Sequence, residues 1–132
     1  MRQYKYRKFL RQGIALCASM LMAACAVEQV PVKLASRMGD VPAQPVHLVK
    51  QINLQLDTGY TRTLKSDSMW LNAGSVEQGE VYRPYKDVFT VEGAHIHEAY
   101  LVVSDHKLVG FYLPAEQAFS PLRPGVPIAF QQ

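Results

Sequence analysis

HEAYLVVSDHKLVGFYLP, residues 97–114, decides the fold. Its two halves, HEAYLVVS and LVGFYLP, are rich in β-branched and aromatic residues and are separated by Ser104-Asp105-His106-Lys107. Such side chains suit a pleated, half-buried surface, and a short polar spacer between two such runs makes an antiparallel hairpin. VFTVEG, residues 88–93, adds a third run, set off by Glu92-Gly93-Ala94. Within GFYLP, Phe111 and Tyr112 fall on opposite faces of a strand, so one is expected in the core and the other half exposed. Pro114 lacks an N–H and is expected to end the last strong strand.

Outward from this centre the signals weaken. In HLVKQINLQLDT, Leu48, Lys50, Ile52, Leu54 and Leu56 alternate with a more polar set, which predicts one strand over 47–56. Asp57-Thr58-Gly59 is turn chemistry. TRTLKSDS is polar and ambiguous, MWLNAG reads as a short strand, and GSVEQGEVYRP as a turn followed by another. Downstream, AEQAF is expected to make a single helical turn. PLRPGVPIAFQQ holds three prolines and is expected to be a tail, or at most an edge strand through Pro127-Ile128-Ala129-Phe130. No stretch carries an extended helical stripe, and no repeat is visible. Residues 47–132 therefore predict a small all-β domain of roughly five to seven strands, an antiparallel meander that is barrel-like or folded as a sandwich.

Upstream, AVEQVPVKLASRMGDVPAQP is interrupted by Pro31, Gly39, Asp40, Pro42 and Pro45. Residues 25–46 are expected to be an extended tether, with an edge strand through VPVKL as the alternative. Residues 1–12 are basic and polar, and the run from Gly13 to Val27 is 15 residues without a charge. That is shorter than the ~20 residues of a spanning helix and has the order of a secretion signal: cationic start, apolar middle, small residues at a cleavage point.

The end of this segment, Met22-Ala23-Ala24-Cys25 with Leu21 ahead, resembles the lipobox of bacterial lipoproteins, with Met22 where leucine is preferred. The resemblance implies a diacylglycerol on the Cys25 sulfur, cleavage that removes residues 1–24, and acylation of the new amino group. It also implies a cell-envelope address, with the membrane engaged through the lipid. Ala26 and Val27 carry no aspartate retention signal, which by the same analogy favours the outer membrane. Ordinary cleavage after Ala24-Cys25-Ala26, leaving Val27 first, is the competing reading.

Removing the signal changes the charge. Five of the 14 basic residues and none of the 11 acidic ones precede Gly13, so nine basic residues remain against 11 acidic, a net of −2. The basicity that would speak for nucleic acid belongs to the signal alone. Cys17 leaves with it, so the domain has no internal disulfide and depends on packing.

Candidate chemistry is sparse. His95 and His97 in AHIHEAY, two apart on a strand, share a face as metal-ligand pairs do; His106 in the next turn and His47 far upstream are conceivable but unsupported third ligands, and surface histidines are the favoured reading. Cupins use such a pair, but Glu98 falls on the opposite face and no second histidine block follows. The serines lack a G-x-S-x-G setting, and glycine-rich phosphate loops are missing. Pairs such as Glu77/Glu80 or Glu92/Glu98 read as solubilising charges. The expectation is a non-enzymatic protein without cofactor, binding another envelope protein, with Tyr82, Tyr85 and Tyr112 as contact candidates. A metal or small-ligand binder using His95 and His97 is the alternative.

Overall fold

The computed structural model describes residues 26–37, 39 and 42–132; the segment read as a signal and Cys25 lie outside the described residues. Among the described residues every regular element is a strand, and every pairing is antiparallel, so the all-β expectation holds. The chain opens with two short strands, β1 (Val30–Pro31) and β2 (Ala35–Ser36). The predicted strand over 47–56 is divided into β3 (Val46–Leu48) and β4 (Ile52–Gln55). The division lets Leu48 and Leu54 be buried from different layers, and it leaves Lys50 exposed at the bend. Gly59, with φ 92°, closes the expected turn into β5 (Thr61–Leu64).

There follow β6 (Met69–Val76), β7 (Gly79–Pro84), β8 (Thr90–Glu92), β9 (Ile96–Glu98), β10 (Tyr100–Ser104), β11 (Lys107–Leu113), β12 (Ala118–Pro127) and β13 (Phe130–Gln131). Asp105 and His106 join β10 to β11 at φ 50° and 59°. Positive φ at both central residues gives the hairpin turn whose twist matches that of its strands.

Two C-terminal expectations are corrected. Residues 114–117 form the turn between β11 and β12, with no helical turn in AEQAF. The proline-rich stretch is no tail: β12 is the longest strand, at 10 residues. Its outer edge is paired only at Ala118 and Phe119, so Pro121, Pro124 and Pro127 lie where that edge has no ladder partner. An edge strand is where a missing N–H is tolerated.

The large sheet runs β1-β12-β11-β10-β7-β6-β3-β13, with β2 added to β6. It is not a closed barrel, but bulges at Asn72/Gly74, Val102/Val103 and Leu108/Gly110 curl it strongly. The curl brings Tyr82 on β7 into a stack with Phe130 on β13, centroids 4.6 Å apart, although β6 and β3 intervene in the ladder. The hairpins β4–β5 and β8–β9 contribute Leu54, Leu64 and Val91 to the main core, against Trp70, Leu101 and Phe111 of the sheet. Each of these side chains supplies about 1.5–3 kcal/mol when fully withdrawn from water.

The opposite side of the sheet is also buried. Val76, Val81, Val102, Tyr112 and Phe119 form a second cluster, with Val32 and Leu34 packed against it. The segment 27–36, expected as a tether, is therefore extended but lies on the domain as a strap. β1 pairs with β12 at one end, β2 pairs with β6 at the other, and the Val32 N–H donates to Gln117 O between them. The alternative reading of an edge strand in VPVKL describes its first part.

Gly74 makes the seat of β2. Its φ is 132°, and a Cβ there would lie 2.1 Å from the Ala35 carbonyl oxygen. The bulge turns its N–H out of the ladder, where Asn72 Oδ1 accepts it at 2.9 Å. Gly74→Ala is expected to cost about 1–3 kcal/mol from backbone strain alone, plus the displacement of β2. Thermal unfolding should record this as a fall of roughly 5–20 °C.

Candidate functional site

The strap enters the domain at a small mouth between layers. Val27 packs against the main core. Glu28 takes two hydrogen bonds from the Arg123 guanidinium, at 2.8 and 3.4 Å. Arg123 also reaches the Asp57 carboxylate at 3.8 Å, and its backbone N–H donates to Asp57 Oδ1 at 3.3 Å. Asp57 opens the β4–β5 turn, whose Thr58 hydroxyl donates to the Glu92 carbonyl at 2.6 Å. The strap, the β4–β5 turn, the β8–β9 turn and β12 are thus linked at one place.

Behind the mouth is a cavity of about 140 Å³, floored by Val27, Leu56, Val91, Phe111 and Leu122. That holds a few waters, at ~30 Å³ each, and falls below the ~300–1,000 Å³ of small-molecule sites. Its rim charges are paired within the protein. Arg123 serves Glu28 and Asp57; Arg62 lies 3.8 Å from Glu92, 3.2 Å from the Thr90 hydroxyl and over the Phe89 ring at 5.3 Å.

The Arg123 hydrogen bonds hold the Glu28 carboxyl below its ordinary 4.5, against a smaller opposing effect of desolvation. A carboxylate lowered in the folded state stabilises above its ordinary value, and that contribution is lost as the pH falls through the lowered one. Both partners are more than half exposed, so salt screening keeps the effect small. NMR titration is expected to show Glu28 titrating below 4.5, returning to it in Arg123→Gln.

The sequence candidates are placed elsewhere. His95 lies in the β8–β9 turn and His97 on β9, with ring centroids 6.5 Å apart at 84°. Two imidazoles sharing a metal at ~2.1 Å in tetrahedral geometry bring their centroids closer than that. His97 Nδ1 is 2.6 Å from Glu116 Oε1, a pairing across the 114–117 turn that sequence spacing did not reveal. No group of three or more His, Cys, Asp or Glu residues gathers for a metal among the described residues.

The three tyrosines separate. Tyr112 is 5% exposed beneath the strap and is corrected from contact candidate to core residue. Phe111 is buried as well, because both faces of β11 are covered. Tyr82 is half-buried in its stack with Phe130. Tyr85 is half-buried, with Lys86 Nζ 5.1 Å from its ring centroid.

Comparison with protein-family models, with curated proteins and with solved structures finds no significant match.

Tyr112→Ala is expected to destabilise the domain by about 3 kcal/mol, as other buried aromatic truncations do. Tyr85→Ala should cost less than about 1 kcal/mol. Urea unfolding of the two variants side by side checks the distinction.

Proposed function

We propose that this chain is a cell-envelope lipoprotein, anchored through Cys25, whose β domain has a non-enzymatic role in binding or supporting another envelope protein. The observation that carries the reading is Met22-Ala23-Ala24-Cys25, placed after a basic segment and an apolar run too short to span a bilayer. Cysteine usage supports it, since Cys25 is the one cysteine retained after such cleavage and has no partner for a disulfide. Three acyl chains hold firmly, since each buried methylene adds about 0.8 kcal/mol and a single myristoyl chain is only marginal. The outer membrane is the proposed destination, by the absence of an aspartate after the cysteine.

Within the domain, Tyr82 and Tyr85 remain the proposed contact residues. Half-exposed tyrosines combine apolar area with a hydrogen-bonding tip and are favoured at protein interfaces. Their neighbours Phe130 and Lys86 extend that surface with a second ring and a positive charge.

Mass spectrometry of the protein purified from membranes tests the anchor. The expected N-terminal peptide begins at a triacylated Cys25, and Cys25→Ser moves the domain out of the membrane fraction or leaves the signal uncleaved. A peptide beginning at unmodified Val27 overturns the reading.

A further inference from the structure

The strap changes what a lipid at Cys25 would do. Cys25 is one peptide unit, about 3.8 Å between Cα atoms, from Ala26, which already lines the mouth. From Val27 onward the chain is held by core packing, the Glu28–Arg123 pair and the β1 ladder. Under the lipid-anchor reading, a single peptide unit joins the lipidated residue to this held segment, which brings the face around the mouth to the bilayer.

That face carries two of the most exposed large apolar side chains among the described residues. Tyr60, 47% exposed, lies in the β4–β5 turn, two residues from Thr58, and its carbonyl accepts from the Leu56 N–H. Ile96, 72% exposed, pairs directly with Glu92, whose carbonyl receives the Thr58 hydroxyl. Both flank the place where the chain leaves for Cys25. An aromatic ring with a polar tip and an aliphatic side chain are what an interfacial surface uses, the tyrosine at headgroup level and the isoleucine below it. The charges at the mouth are paired within the protein, Arg123 with Glu28 and Asp57 and Arg62 with Glu92, and three carboxylates against two guanidiniums leave no positive excess to attract anionic lipid.

We infer that the end of the domain formed by the 57–60 and 93–96 turns is a membrane-docking surface for a phospholipid bilayer, with Tyr60 and Ile96 as its interfacial residues. This rests on the lipid-anchor reading. The short attachment gives the domain a fixed pose on the bilayer.

The test uses the full chain, matured in its membrane and reconstituted in phosphatidylcholine vesicles. Single cysteines at Tyr60→Cys, Ile96→Cys and Ser66→Cys carry an environment-sensitive fluorophore, and intact mass confirms the lipid on each sample. Ser66 is the control: it is exposed in the turn at the far end of the β4–β5 hairpin, ~18 Å from the tip, beyond the ~5–10 Å depth of interfacial burial. Expected are blue-shifted emission and loss of iodide quenching at 60 and 96 but not at 66, unchanged by high salt. Inserting about ten Gly and Ser residues between Cys25 and Ala26, with a reach of ~17 Å, should restore quenching at both positions while the thermal unfolding curve stays the same. Lipidated protein with equal quenching at all three sites overturns the docking surface and leaves the anchor standing. Protein without the lipid mass overturns both.

Discussion

The absence of a side chain at Gly74 is the constraint on which the rest of the structure depends. Without this segment, the outer edge of β12 and the stretch of β6 beyond its pairing with β3 would each present unpaired backbone groups that invite other chains. One segment, 30–36, meets both, and at its second contact the Ala35 carbonyl occupies the space any Cβ at position 74 would need. The bulge at Asn72/Gly74 creates that space, and the Asn72 side chain accepts the N–H that the bulge displaces. With the strap seated, Val32 and Leu34 cover a second apolar cluster, and both faces of the sheet become interior. A chain without a disulfide in this domain thereby gains a second core by folding its own leader segment back.

The same arrangement couples the two ends of the proposed function. Under the lipid-anchor reading, the strap is a rigid mount and no longer a flexible leash. Its ladders, its ion pair to Arg123 and the turn linkage through Thr58 and Glu92 join the attachment point to both hairpins. The cavity beside it is smaller than most small-molecule sites, and the charges around it are paired within the protein. The proposed partner contacts, Tyr82 and Tyr85, are half-buried residues outside the lining of this mouth.

Much of the strand inventory was legible in the sequence, because local pattern sets it. The 97–114 hairpin followed from β-branched runs around Asp105-His106, and Gly59 closed its predicted turn. What was not legible depends on residues far apart in the chain. Tyr112 alternates as a half-exposed position should, but it is buried in a cluster that Val32 and Leu34, some 80 residues upstream, help to cover. The prolines of β12 argue against a strand until its outer edge is seen to be unpaired past Phe119. His97 looked toward His95 by spacing, but a turn from another hairpin brings Glu116 to it. Pattern reading recovers faces and turns; it does not recover which distant segment covers them.

Residues 27–36, held by the β1 and β2 ladders and by Val32 and Leu34, belong to the cooperative fold. Native-state hydrogen exchange at the Val32 amide, which donates to Gln117 O, measures this directly in the mature protein. Val32 is expected to exchange only with global unfolding, with the same protection free energy as the core amides of β10 and β11. Exchange at the rate of an unstructured chain would contradict it, and would return the segment to a tether.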